Sequence, residues 1–317
     1  MKNFEAPLLR SPLRRRDFIK LGAGAGATVT LLNACGSSQS GTSAEQAQQN
    51  PPPAADAVHA KEDPVQRVLP KFKWGEITPG GNGGNGGGGG VQGPSDYRFG
   101  FFLPPDVQLF NIGLGLEEYD TEGVDKASRT YAGKADLLAK AGVNLIFLGG
   151  APVSAQLGRD RIQQMLADTT RRTGVRADAT LEANLAGMAR LGVKTITVGS
   201  RWGGQLNQAV TAYCKKGGVE VLGMTNRDWT LRERPHMTFE ETMRLELELA
   251  YEAVKKAPKA AGLLLPGGVM AEHVIDPIEK EFGISVFTNM NCKVWNNLVR
   301  PKVIPAIQGW GRLLATP

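Results

Sequence analysis

The sequence is poor in the residues that most often carry chemistry. Its 317 residues include three cysteines and three histidines, and neither set is clustered. Cys35, Cys214 and Cys292 contain no C-x-x-C pair, and His59, His236 and His273 stand far apart. No metal centre and no redox dithiol is read from them. Glycine is plentiful, yet the longest run, Gly80-Gly81-Asn82-Gly83-Gly84-Asn85-Gly86 through Gly90, has no Lys-Ser/Thr after it, and no strand is expected before it or helix behind it. A phosphate-binding loop needs all three. Excess positive charge is thin as well. The net charge is +6, but four of those charges belong to residues 1–34, where Lys2, Arg10, Arg14, Arg15, Arg16 and Lys20 face only Glu5 and Asp17. What remains, about +2, gives no electrostatic footprint for nucleic acid.

The cationic N-terminus has another reading. Arg14-Arg15-Arg16-Asp17-Phe18-Ile19-Lys20 is a twin-arginine cluster, followed by the weakly apolar Leu21–Leu32 and then Asn33-Ala34-Cys35-Gly36. A basic region, a short apolar region and a small-residue cleavage site make an export signal over residues 1–35, read by the twin-arginine translocase. The apolar stretch is too short and too rich in Gly and Ala to span a bilayer. Leu32-Asn33-Ala34-Cys35 resembles a lipobox, with Cys35 as the lipidated residue and membrane anchor, although Asn33 departs from the usual small residue. The expected location is the periplasm. Residues 36–96, rich in Ser, Gln, Pro, Ala and Gly, bury too little apolar surface to offset the entropy of ordering and read as a tether.

Residues 97–299 alternate strand-like and helix-like segments, the signature of a parallel sheet covered on both faces. Arg98–Leu103 is expected to be the first strand, with later ones at Asn144–Leu148, Lys194–Val198, Val219–Leu222, Leu263–Leu265 and Ile284–Phe287. Helices are expected over Gly123–Ala141, Arg159–Thr173, Leu181–Leu191, Leu206–Lys216, Thr238–Lys256, Ala271–Phe282 and Lys293–Leu298. Two strands end alike, Asn144-Leu145-Ile146-Phe147-Leu148-Gly149-Gly150 and Gly262-Leu263-Leu264-Leu265-Pro266-Gly267-Gly268. A glycine turn at the carboxyl end of a parallel strand lets backbone N–H groups approach a ligand. The repetition predicts two related α/β lobes facing one cleft: lobe one over about 97–180 plus 284–299, lobe two over about 181–283, and a tail at 300–317. Neither turn carries a Cys, Ser, Asp or His where a nucleophile is expected.

These segments resemble the aspartate/glutamate racemase superfamily, and within it the arylmalonate decarboxylase and maleate isomerase branch. The resemblance rests on Phe102-Leu103-Pro104-Pro105, Gly113-Leu114-Gly115-Leu116 with Glu122-Gly123, Gly149-Gly150 with Ser154, Leu191-Gly192-Val193, Leu264-Leu265-Pro266-Gly267-Gly268 and Ile278–Val286. It implies two pseudo-symmetric doubly wound lobes. A small or aryl carboxylic acid would be held between them by backbone N–H groups and hydroxyls, without a cofactor. It also implies one or two cysteines that move a proton at the α-carbon, a thiol near neutrality being able to act as acid or base. At the matching positions this chain departs. Pro266 stands for the second-lobe cysteine, Gly150 for the first-lobe one, Ala151 and Pro152 for hydroxyl donors, and Trp202 for an aromatic hydroxyl. The N–H groups of Gly150, Ala151, Gly267 and Gly268 remain as carboxylate donors, with Leu116 of the Gly-Leu-Gly-Leu motif lining the same site.

Three side chains are left as catalytic candidates. Cys292 precedes a helix, whose N-terminus can acidify a thiol, or it is a buried small hydrophobe. Glu272 and His273 adjoin, five and six residues beyond Gly267, as an acid–base pair or as ordinary first-turn residues. Arg201, beside Trp202 at a strand's carboxyl end, can clamp a carboxylate or simply be solvated. Two functions therefore compete: an exported isomerase or decarboxylase with rewired acid–base residues, and a non-catalytic periplasmic carboxylate-binding lipoprotein.

Overall fold

The computed structural model describes residues 69–80, 103–104, 106–117, 120–228, 238–267 and 271–317. The export signal, Cys35 and most of the expected strand Arg98–Leu103 lie outside them.

Two four-stranded sheets, all parallel, carry the fold. The first is built from β1 (Phe72–Thr78), β2 (Val107–Gly113), β3 (Leu145–Leu148) and β4 (Arg176–Ala179), in the order β2-β1-β3-β4. The second is built from β5 (Thr195–Val198), β6 (Glu220–Met224), β7 (Gly262–Leu265) and β8 (Ser285–Thr288), in the order β6-β5-β7-β8. The two orders are the same path drawn twice, so the repeat in the sequence is a repeat in topology. In each sheet the winding reverses between the first and third strands, and it is outside the carboxyl ends of such a pair that open α/β sheets bind ligands. Every residue of β3 and β7 is buried, as expected of strands covered on both faces.

The helices are α1 (Thr121–Ser128), α2 (Tyr131–Lys140), α3 (Ala151–Leu157), α4 (Arg159–Thr173), α5 (Thr180–Arg190), α6 (Gly204–Lys216), α7 (Phe239–Lys256), α8 (Ile275–Phe282), α9 (Asn289–Val294) and α10 (Gly311–Leu314). A 3-10 turn, Ala271–Val274, leads into α8, and a π turn, Trp295–Val299, continues α9. The helix expected over Gly123–Ala141 is two helices, broken at Arg129–Thr130, where the Thr130 hydroxyl bonds the carbonyls of Ala127 and Leu114.

Four expectations are corrected. One of the two central strands of the first sheet is Phe72–Thr78, inside the stretch assigned to the tether. Lys73, Glu76 and Thr78 interrupt its apolar pattern, and Gly75 is there because a Cβ would lie 3.0 Å from the Leu145 carbonyl and 3.1 Å from Leu138. The strand β2 and the strand β4, Arg-Ala-Asp-Ala, were not anticipated at all. Strand β8 pairs with β7, so it belongs to the second sheet, whereas the helix after it returns to the first. Residues 300–317 are no loose tail. Leu313 and Leu314 are fully buried, the Trp295 indole N–H donates to the Thr316 carbonyl, and Arg190 bonds the Pro317 carbonyl.

One buried ion pair fastens that returning helix. Lys293 Nζ lies 3.1 and 3.0 Å from the two Glu76 carboxylate oxygens, over the rings of Trp74 and Phe147. Removing one partner of such a pair leaves an uncompensated charge and costs about 3–5 kcal/mol. Lys293→Met should therefore lower the unfolding free energy in urea by about that much, and adding Glu76→Gln should recover a large part of the loss. An unchanged midpoint for the single variant would remove the pair from this role.

Candidate functional site

At the carboxyl end of each sheet, a ring from one strand covers a glycine from its neighbour. In the first sheet, β1 runs into Pro79 and β3 into Gly149-Gly150. Gly150 has φ +96°, and a Cβ on it would lie 2.6 Å from Pro79 Cγ. In the second, β5 runs into Gly199-Ser200-Arg201-Trp202 and β7 into Pro266-Gly267. A Cβ on Gly267 would lie 2.4 Å from Trp202 Cζ2. Glycine is required at both places by the same close approach.

The first turn is braced from three sides. Gly149 N–H donates to the Ile77 carbonyl at 2.9 Å, and the Glu76 carboxylate abuts the Gly149 α-carbon. The Gly113–Leu116 segment lies alongside, Leu116 N–H donating to the Pro79 carbonyl at 2.8 Å while Gly115 takes φ +83°. Leu116 is buried. Ala151 opens α3, with Pro152 in the first turn, where a missing N–H costs no helical bond. Both are buried and neither has a hydroxyl.

The second turn is tied by side-chain bonds. Ser200 N–H donates to Thr225 Oγ1 at 2.8 Å, Trp202 N–H donates to Ser200 Oγ at 3.1 Å, and Asn207 Nδ2 donates to the Trp202 carbonyl at 2.9 Å. Pro266 is buried, and its carbonyl accepts from Asn289 Nδ2, whose own Oδ1 accepts from Asn184. Gly268 lies outside the described residues.

The candidates for proton transfer divide. Cys292 is fully buried, its sulfur 3.2 Å from where a Cβ on Gly187 would lie, and burial pushes its thiol well above the ordinary cysteine range. Cys214 is likewise buried, and its thiol is pushed up to about 12 by burial. His273 lies half-buried, edge-on to the Trp310 ring at 5.4 Å. Glu272 sits at the strand ends, 3 % exposed, with its Oε1 3.3 Å from the Thr288 hydroxyl that caps α9. Arg201 faces inward to Glu246 of α7, Nη1 to Oε1 at 3.6 Å, and both are buried. Its guanidinium thus has a protein carboxylate beside it already.

Sequence reasoning missed the buried acids of the first sheet. Glu76 pairs with Lys293; Asp178, at the end of β4, accepts from Asn296 and Asn297 at 2.9 and 2.7 Å. Burial raises the Asp178 carboxyl above its ordinary range despite those donors. An acid inside a short strand was the one available signal.

The family model described as arylmalonate decarboxylase matches residues 99–314. The chain belongs to that family. The match begins beyond β1, so this strand of the first sheet falls outside it. A doubly substituted arylmalonate decarboxylase in its liganded form is similar over 76 % of this chain and 98 % of its own, with 24 % identity and a TM-score of 0.65. The maleate isomerase Iso from Pseudomonas putida S16 is similar over 77 % of this chain and 98 % of its own, at 13 % identity and TM-score 0.62. The Nocardia farcinica maleate cis-trans isomerase bound to TRIS aligns over 77 % and 98 %, at 14 % identity and TM-score 0.62. At these identities the structural likeness is one of fold. No curated protein sequence matches the chain.

The placement of the thiols is directly checkable. In the native protein Cys214 and Cys292 should resist alkylation by iodoacetamide, and both should label in guanidinium. Rapid native labelling of Cys292, read by peptide mass mapping, would return it to the site.

Proposed function

We propose that this arylmalonate decarboxylase family member is exported and acts on a small carboxylic acid held at the two glycine turns, by a route that uses no thiol. The observation that carries the proposal is Pro266. A buried imino acid stands where the resemblance calls for the second-lobe cysteine, and both cysteines of the body are core residues. The carboxylate would be held by the N–H groups of Gly150, Ala151 and Gly267, donors of the kind that stabilise developing negative charge. At the strand ends of the second sheet the acid–base candidate is Glu272, buried beside Thr288. No cofactor enters this chemistry.

A second reading, a non-catalytic carboxylate-binding lipoprotein, is favoured by the first turn. Ala151 and Pro152 supply no hydroxyl, so less donor capacity surrounds the charge that an enediolate would carry. Turnover separates the two. Maleate or an amino-acid dicarboxylate should be consumed by the wild type, undiminished after alkylation. Saturable binding without turnover would leave the receptor, and turnover abolished by alkylation would restore a thiol mechanism.

Arylmalonate is the sharper assay. Losing a general acid costs roughly 10²–10⁴-fold, so CO₂ release from phenylmalonate by the wild type should not exceed background. Pro266→Cys together with Ala151→Thr, Pro152→Ser and Trp202→Tyr should create measurable release, and Pro266→Cys alone should give little. Robust wild-type release would overturn the loss of the thiol route.

Export rests on the N-terminal sequence. Lysine in place of Arg15 and Arg16 should trap precursor in the cytoplasm, and Cys35→Ala should free the periplasmic protein from the membrane fraction. Unchanged export of the first variant, or unchanged membrane partition of the second, would reject the corresponding half of the assignment.

A further inference from the structure

We propose that Asn289 is a positioning residue of this site: by holding the Pro266 carbonyl it turns the Gly267 N–H to the ligand side, so the second turn offers a carboxylate a donor instead of an oxygen. The proposal rests on the carboxylate reading above and deepens it.

Pro-Gly occurs twice in the sequence, at Pro79-Gly80 and Pro266-Gly267, once in each turn. Proline suits the second position of both common reverse turns and glycine is accepted at the third, and the two turn types differ by a half-rotation of the peptide between them. The dipeptide alone therefore leaves the direction of that peptide open. In the first turn the backbone decides it, because the Pro79 carbonyl accepts from the Leu116 N–H at 2.8 Å. In the second a side chain decides it, because the Pro266 carbonyl accepts from Asn289 Nδ2. Among the described residues no peptide bond is cis, and a trans peptide points its carbonyl and its N–H in opposite directions. With the carbonyl committed to α9, the Gly267 N–H faces away from that helix, and Gly267 is half-buried rather than sealed in the core.

Asn289 is itself held in the orientation this requires. A carbonyl only accepts, so Asn289 presents its Nδ2 to Pro266, which leaves its Oδ1 for Asn184 Nδ2 at 3.1 Å. Asn184 is buried in α5, and its own Oδ1 has no hydrogen-bond partner among the described residues. A contact that served packing alone would fill this space with apolar side chains and orphan no acceptor. Nor does α9 need Asn289 for its start, since the capping box is made by Thr288 and Asn291. Pro266 has no N–H, so Gly267 supplies the first backbone donor after β7. A reversed peptide would put the Pro266 oxygen in that place, against the charge of a carboxylate.

The experiment uses the full chain labelled with ¹³C at the proline carbonyls and ¹⁵N at glycine, which gives one correlation for each Pro-Gly peptide, those of Gly80 and Gly267. Sequential assignment tells the two apart. Maleate and malonate are titrated in, with affinity read by calorimetry. Both should bind the wild type and move the Gly267 signal. Asn289→Leu, which keeps the size and removes the donor, should shift the Pro266 carbonyl upfield and leave the Gly80 signal in place. It should weaken both ligands by about 10–100-fold, the range for a hydrogen bond to a charged group, and abolish the Gly267 response, with an unchanged melting temperature. If that variant fails to fold, Asn289→Ala is read in the same way. Wild-type affinity in the variant, or weakened binding with the Gly267 response intact, overturns the role of Asn289 and leaves the carboxylate reading standing. Ligands that bind the wild type without moving Gly267 do the same. A wild type that binds neither overturns both.

Discussion

The contact between Glu76 and Lys293 joins the two halves of the site. The residues are 217 positions apart, and their charges meet in a space walled by Trp74 and Phe147. Two charges taken out of water gain little net stability from each other, but each forbids the other's removal. Such a pair specifies where an element goes. Here it specifies α9, which leaves the second sheet at Thr288 and ends against the first. Asn289 and Lys293 are one helical turn apart and so share a face. One bonds the carbonyl of Pro266 in the second turn; the other bonds Glu76 beneath Gly149 in the first. Six residues thus link both glycine turns, and the capping box of Thr288 and Asn291 sets where they begin.

Legibility of the fold followed local pattern. The runs Leu145–Leu148 and Gly262–Leu265 are apolar because both faces are covered, and they could be read without any knowledge of what covers them. Helix α4 shows its bounds in the sequence, and α7 opens on Thr238 with Glu241 three residues on, a capping box present in the structure. Two of the missed strands, β1 and β4, carry acids whose burial depends on distant partners. Glu76 in β1 is buried because Lys293 is there, and Asp178 in β4 because Asn296 and Asn297 are. No window of ten or twenty residues contains that information. A polar residue in such a strand looks like evidence for a loop until its partner is found.

The candidate site was legible as backbone and illegible as side chain. The paired Gly-Gly turns marked the strand ends, and the third strand of each sheet carries one. Which side chains gather there was a different matter. Cys292 and Glu272 look equally eligible in sequence, yet one is sunk between α5 and α10 while the other sits beside the strand-end threonine. Arg201 looked like a clamp for a ligand and instead lies beside Glu246, forty-five residues on. A carboxylate within the protein and one brought by a ligand make the same demand on a guanidinium, and sequence does not tell them apart.

The two rings that cover the turns show how a repeated scaffold becomes an asymmetric site. Each lobe solves the same packing problem, filling the space over a glycine with a ring from the adjacent strand end. Pro79 solves it with a saturated ring that has no hydrogen to donate. Trp202 solves it with a larger ring that carries a buried N–H. The first turn is held by backbone bonds and the second by side-chain bonds, and the halves differ further in these two rings and in what stands next to them. On the first side an acid and a base neutralise each other beneath the turn, leaving its N–H groups as the polar surface. On the second, Pro266 has no N–H and the indole ring lies over Gly267. Equivalent positions of one repeated scaffold thus carry two unlike turns, one backed by a buried ion pair and the other by a proline and an indole.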